Sequence, residues 1–392
     1  MTCGRTWSKS VAMRPDVVQL TRTLISVDTV SPPGNERNLA VRIAKILHEY
    51  GLEATIQDIG DNRANLICEY GSGNGTCLVL NGHLDTVPAE GQWRHDPFDA
   101  HVEDGLMYGR GACDMKGGLA AMMSAFIGMA PLADRLDGIV RLVFVADEED
   151  ANRGSRHFLA HDRRSCKRNL MVIGEPTGLS VCCAHFGAER FWIRLHGRSA
   201  HSSRPEEGAN AILAASSVAS CLEGYHHELR SRKTRFGSPS AAVTLIEGGE
   251  KQNSIPVLCS LFLDRRTVPG EDGGQVAKEV EQWIASHADM HGCTCSVEPF
   301  FSFASGLLDE RSGFLGKAKE IVGQQTDLVF PAGCEQAIFI SGGYDAIVLG
   351  PGSIEMAHKI DEYVPLEELE KAVDIYEKFI SILLDQSSCA IG

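Results

Sequence analysis

The stretch IVRLVFVADEED, residues 139–150, runs a nearly unbroken apolar segment straight into four successive acids. An apolar run without alternation fits a strand covered on both faces, as parallel strands are when helices pack above and below them. The same texture recurs in TCLVLNGH (76–83), LMVIG (170–174) and AIVLG (346–350), with helical stretches between them. Each run ends on chemistry. LVLNG is followed by His83 and Asp85, RLVFVA by Asp147, Glu148, Glu149 and Asp150, LMVIG by Glu175, and AIVLGPGS, a few residues on, by His358. Between them lies GRGACDMKGG, with Asp114 among glycines just ahead of a helix of small residues and Met (117–130). Open α/β sheets place their active sites at the carboxyl ends of strands, so the expected fold class is α/β with the site at that edge.

Working outward, Pro15 opens a helix bearing Val18, Leu20, Leu24 and Ile25, and a second amphipathic helix over 39–50 closes at Gly51. ANLICEY (64–70) and the 76–83 run flank Gly-Ser-Gly-Asn-Gly, which predicts a hairpin joining them. Residues 1–13 read as a loose polar arm, with Met13 an alternative start, and PLEELEKAVDIYEKFISILL (365–384) as a closing helix. From about residue 184 the pattern changes. ERFWIRLHGR (189–198) alternates apolar and polar positions like a half-exposed antiparallel strand. A helix (208–222), strands at 241–247 and 257–264, a helix over 272–290 and a strand at 293–300 complete a βαββαβ order, the split ferredoxin-like unit. The expected organisation is a discontinuous α/β catalytic domain, 14–183 and 299–392, interrupted by an α+β domain over 184–298.

Composition narrows the function. The 392 residues carry 37 basic against 52 acidic side chains, a net charge of −15. Without a basic cluster, binding to nucleic acid or an anionic membrane is disfavoured. The 13 cysteines are scattered with no repeated C-x-x-C spacing, which fits reduced thiols. The opening residues lack the apolar core of a signal peptide, and no apolar run approaches the roughly 20 residues of a membrane span. The expectation is a cytoplasmic protein.

Taken singly, a His near a strand end is ordinary, an acidic run is a solvated loop, and Asp114 is a helix cap. Jointly, carboxylates and imidazoles recurring at one edge repel and destabilise the fold unless a cation offsets them. Imidazole nitrogen with carboxylate oxygen suits zinc or a similar divalent ion, with no thiolate required. His83 and Asp85, two apart on an extended chain, point the same way, so the Asp85 carboxylate can accept the second ring N–H of a metal-bound His83. Adjacent Glu148 and Glu149 diverge, which divides their roles between ligand and general base.

GHLDTVP (82–88), GRGACDMKGG (109–118), the DEE triplet, GEPT (174–177) and AHKIDEY (357–363) together resemble the metal-site motifs of one family. It is the acetylornithine deacetylase, succinyl-diaminopimelate desuccinylase and glutamate carboxypeptidase family of co-catalytic zinc amidohydrolases. The resemblance runs from SPPGNE (31–36) to AHKIDEY and includes GRSAHSSRPEEGANAI (197–212) in the inserted domain. It implies two Zn2+ per subunit, replaceable by Co2+ or Mn2+, with Asp114 bridging them. His83 and Glu175 then complete one site, and Glu149 and His358 the other. Glu148 is implied as general base, Asp85 as the residue orienting His83, and His201 as a residue reaching across a homodimer to polarise the scissile carbonyl. Arg266 in LDRRTVPG matches the residue that holds the substrate carboxylate, with Arg265 as its structural alternative. Asn253 in QNSIP matches an Asn near the substrate, and the 350–353 loop is expected to offer backbone N–H groups to the same carboxylate. Cys113 is expected to pack rather than ligate.

The leading expectation is hydrolysis of the amide bond of an N-acyl amino acid, as in acetylornithine deacetylase. The GPGS and DRRTVPG segments look closer to the deacetylase than to the desuccinylase. The alternatives are a desuccinylase, a dipeptidase or carboxypeptidase of the same family, and a metal-binding protein that has lost catalysis. The intact Glu148 counts against the last, because a protein that only binds metal needs no second, non-ligating Glu.

Overall fold

The computed structural model describes residues 14–163 and 166–382, so the arm at 1–13 and residues 383–384 of the expected closing helix lie outside the described residues. Two compact units emerge. Among the described residues, the first comprises 14–183, Leu308–Leu328 and 334–382; the second comprises Ala184–Leu307 and Val329–Gly333.

In the first unit, six strands lie in the order Ala54–Gly60, Arg63–Ser72, Gly138–Val145, Thr76–His83, Arg168–Ile173 and Asp345–Val348. The last four run parallel, and all eight residues of Gly138–Val145 are buried. That is the double-sided burial which its unalternating sequence implied. The hairpin expected between 64–70 and 76–83 does not form. Gly138–Val145 inserts between those two strands, antiparallel to one and parallel to the other. The hairpin instead joins Ala54–Gly60 to Arg63–Ser72. Its two loop residues, Asp61 and Asn62, both have positive φ, the conformation that a two-residue turn demands and that Asp and Asn tolerate. A Gly-rich link marks a place where the chain can reverse but does not say which strand it returns to.

Helices pack against this sheet. Val17–Ile25 starts at Asp16, whose carboxylate accepts the N–H groups of Val18 and Gln19. Glu36–Glu49 ends ahead of Gly51 at φ +76. Gly117–Met129 buries every residue from Gly117 to Ile127, which explains why its sequence is apolar on all sides. The helical stretch Ala112–Arg135 is long and apolar enough by composition to cross a membrane, contrary to the expectation that no run was, and most of it is buried inside the unit.

The second unit is a four-stranded antiparallel sheet, ordered Ser240–Gly248, Leu258–Thr267, Gly187–His196, Thr294–Phe303. Helices Ala211–Ser231 and Gly273–His287 supply the rest of its core. Alternate residues Phe191, Ile193 and Leu195 enter that core. The last strand extends to Phe303, past the 300 expected, and the unit to Leu307, past the 298 expected, because 299–303 continues the pairing with Ala188–Phe191 through a bulge.

Candidate metal centre

Register sets the site. Thr76–His83 pairs in parallel with Gly138–Val145 on one side and Arg168–Ile173 on the other. Three neighbouring strands therefore deliver His83, the Asp147–Glu149 turn and Glu175 at one edge. His358 arrives from the segment after Asp345–Val348, and Asp114 from the turn before Gly117–Met129.

Asp114 stands at the centre and is nearly inaccessible to solvent. Its Oδ1 lies 2.9 Å from His83 Nε2, and its Oδ2 3.3 Å from His358 Nε2. Glu175 Oε1 is 3.7 Å from His83 Nε2, and Glu149 Oε1 is 3.0 Å from His358 Nε2. Single ligand atoms of His83, Asp114 and Glu149 fall within 4.8 Å of one another. Thus one carboxylate faces two imidazoles, each with a further carboxylate beside it.

The electrostatics show excess negative charge in a dry place. Burial opposes charging of the His83 ring, yet Asp114, Asp85 and Glu175 lift its pKa well above the usual value. His358 is raised to about 10, chiefly by Asp114 and then Glu149. Burial, then Asp114, pushes the Glu175 carboxyl well above its ordinary range and raises Glu149 as well. Glu148 is also pushed well up, by burial first, with His83 opposing and Glu175 and Glu149 adding to the rise. A nitrogen and oxygen donor set, rich in carboxylates and poor in counter-charge, is what a pair of hard-to-borderline divalent cations fits.

Asp85 holds the centre in a way other than expected. The Nδ1 of His83 lies 2.9 Å from the backbone carbonyl of Asp85, while the carboxylate Oδ1 is 3.6 Å away. The carboxylate is turned toward the next strand's turn, where Oδ1 accepts the N–H of Glu148 (3.1 Å) and Oδ2 that of Glu149 (3.0 Å). Burial alone would raise the Asp85 carboxyl, but His83 and these two N–H groups hold it below its usual range.

Several partners escaped the sequence reading. Glu362 Oε1 accepts the backbone N–H groups of Cys113 (2.8 Å) and Asp114 (3.0 Å), and its Oε2 accepts from Arg110 at 2.6 Å. It lies four residues past His358 in the quoted AHKIDEY, so its only signal was membership of that motif. Glu335 is buried, pushed up to about 7 by desolvation, and accepts from Ser155 Oγ at 3.1 Å. Nothing local distinguishes it from any helix-opening Glu. Arg63 is buried between Glu36 and Asp147, the latter at 2.9 Å, which ties the Asp147–Glu149 turn to the Glu36–Glu49 helix. Cys113 packs beside Gly352, its Sγ donating to the carbonyl of Ser353 at 3.2 Å. Two backbone N–H groups of the 350–353 loop, expected to be open donors, are engaged within the unit. Gly350 N–H goes to Thr177 Oγ1 (3.2 Å) and Gly352 N–H to Glu368 (2.7 Å), and Pro351 has none.

His201, Asn253 and Arg266 belong to the second unit. His201 is exposed; its Nδ1 accepts the backbone N–H of Ser203 at 3.2 Å. A backbone N–H only donates, so the proton of the neutral ring resides on Nε2. The carbonyl of Asn253 accepts from Ser202 N–H at 3.1 Å, and His201 bridges to Ser254, placing Asn253 beside His201. Arg266 is partly exposed and pairs with Asp264 at 2.7 Å. Arg265 is fully buried against Tyr225 and Glu271, a structural position.

Residues 79–382 match the sequence model of peptidase family M20/M25/M40. Acetylornithine deacetylase of Edwardsiella ictaluri (strain 93-146) is 32% identical over 364 residues, 89% of this chain and 93% of its own. Acetylornithine deacetylase of Pasteurella multocida (strain Pm70) is 31% identical over 379 residues, 93% and 97% of the two chains. Among solved structures, a dinuclear metal-binding peptidase of the M20 family from Bacillus subtilis superposes with a TM-score of 0.71 at 19% identity, over 94% of this chain and 97% of that one.

Proposed function

Because the chain belongs to peptidase family M20/M25/M40 and is thus an enzyme of a metallopeptidase and amidohydrolase family, we propose that it hydrolyses the amide bond of an N-acyl amino acid, in the manner of an acetylornithine deacetylase. The identity above 30% to deacetylases over most of both chains favours this substrate class. In this reading His83, Asp114 and Glu175 hold one divalent cation, and Asp114, Glu149 and His358 a second. Zinc suits these donors, with cobalt or manganese able to replace it. The Asp114 carboxylate carries the proposal, since each of its oxygens lies beside a different imidazole. Such a cation pair supplies Lewis acidity that makes water nucleophilic near neutral pH and stabilises charge on the amide oxygen.

The chain's own groups do the rest. Glu148 accepts the proton of the attacking water and passes it to the leaving amine nitrogen. Asp85 fixes the backbone from which Glu148 reaches. His201, with its proton on Nε2, donates a hydrogen bond to the scissile carbonyl oxygen. We assign this role to the His201 of a partner subunit in a homodimer. Leu245 and Ile246, both exposed and pointing to opposite faces of the edge strand Ser240–Gly248, offer apolar side chains beside an outer strand edge for that association. Arg266 binds the substrate carboxylate, and Asn253 lines the same region. The cytoplasm is the compartment that this substrate class and the reduced cysteines favour.

A substrate panel tests the reading: N-acetylornithine, N-succinyl-diaminopimelate, other N-acyl amino acids and dipeptides, each with and without chelator. The expected result is fastest turnover of N-acetylornithine or a related N-acyl amino acid, abolished by chelation and restored by zinc or cobalt. Comparable rates on dipeptides would point to a dipeptidase, and turnover indifferent to chelation would reject the metal centre.

A further inference from the structure

We propose that His95, His101 and Glu103 form a separate divalent-cation site at the surface of the first unit, suited to Zn2+, Co2+, Ni2+ or Cu2+. One ligand atom from each of the three residues lies within 4.8 Å of the other two. His101 and Glu103 occupy the first and third positions of the short strand His101–Glu103, so both project from one face. His95 comes from the preceding loop and lays its ring on that of His101, centroids 3.7 Å apart and planes 20° from parallel. Among the described residues, no side-chain hydrogen bond or ion pair engages any of the three.

Two features make this more than a chance cluster. Two nitrogens and one carboxylate oxygen match the preference of borderline divalent ions and exclude the all-oxygen sphere that calcium and magnesium favour. The site shares no residue with the buried centre, and its three protein donors leave coordination positions open to solvent. Its half-exposed setting makes it the weaker of the two.

Occupancy has a structural reach. His101 pairs in register with Tyr108 and the Leu106–Tyr108 strand with Tyr363–Pro365, so His101–Glu103 is the outer strand of a three-stranded sheet. Next to His95, the backbone N–H of Arg94 donates to Asp361 at 2.9 Å, three residues past His358. A cation bridging His95 and His101 pins the 91–95 loop to that sheet.

Equilibrium dialysis of the metal-replete enzyme against free Zn2+, followed by metal analysis, tests the site. Wild type is expected to bind one more zinc per subunit than the double variant His95→Ala/His101→Ala, with equal amidase activity in both before the extra zinc is added. Because the readout is a difference between two proteins, it holds whatever number of cations the buried centre carries. Equal zinc in both proteins, or a deficit of more than one, would overturn the proposal. Should the double variant fold poorly, Glu103→Gln at an exposed position is expected to weaken the extra zinc at least tenfold, and unchanged affinity would overturn it equally.

Discussion

The carboxylate of Asp85 accepts from Glu148 and Glu149 at once, so one buried side chain sets the backbone of both the proposed base and a proposed ligand. The two residues stand in a turn rather than on the extended stretch that the sequence suggested, and Glu149 is the one drawn to His358. Glu148→Gln removes proton transfer while keeping shape, so kcat should fall by roughly 10²–10⁴. Bound metal should stay near the wild-type amount; loss of metal together with activity would make Glu148 a ligand. At this scale the sequence was partly legible. Donor types could be read because each followed an apolar run, but which of Arg265 and Arg266 is available to a substrate depended on burial that no local pattern carries. The same holds for Asp85, whose carbonyl rather than carboxylate approaches His83 most closely.

Elements meet tightly behind the centre. A Cβ on Gly118, in the helix Gly117–Met129, would come 2.5 Å from the carbonyl oxygen of Gly174, the residue before Glu175. Alanine favours helix by about 0.5–1 kcal/mol, but overpacking against backbone costs about 1–3 kcal/mol, and the clash prevails. Gly118→Ala should therefore lower the melting temperature and, by displacing Gly174, weaken metal binding at Glu175; thermal melts with metal analysis check both. A second element-scale effect concerns His185, at the end of the strand Cys182–His185, whose pKa burial pushes down to about 4. Between pH 6.5 and 4 the unfolded chain protonates this ring and the folded one does not, so stability falls as pH drops through that window. Relative to His185→Gln, wild type should lose about 2 kcal/mol between pH 7 and pH 5 in denaturant unfolding. A constant difference across that range would reject the buried neutral ring. The Gly-Ser-Gly-Asn-Gly link reverses the chain without pairing the two strands it joins. The turn residues were correct for a reversal, but strand order is fixed by long-range burial of Gly138–Val145.

At the level of the whole molecule, the proposed dimer makes each centre depend on another chain. Glu148→Gln keeps His201, and His201→Ala keeps Glu148, so neither homodimer should turn over well. Co-refolding the two should restore activity to about a quarter of wild type if subunits reassort at random and His201 crosses between them. No recovery in verified heterodimers would confine His201 to its own chain. The two units were legible from the switch between unalternating and alternating apolar patterns, though Val329–Gly333, returning to the second unit from a distant part of the chain, carried no such mark. Parallel pairing has one further implication. Along a strand each residue advances about 3.3 Å, so sliding Thr76–His83 by the two residues that preserve its facing would carry His83 some 6–7 Å from Asp114. The sheet is in that sense a vernier. Families of insertions confined to its strands should yield proteins that fold and melt normally yet have nothing left to measure with.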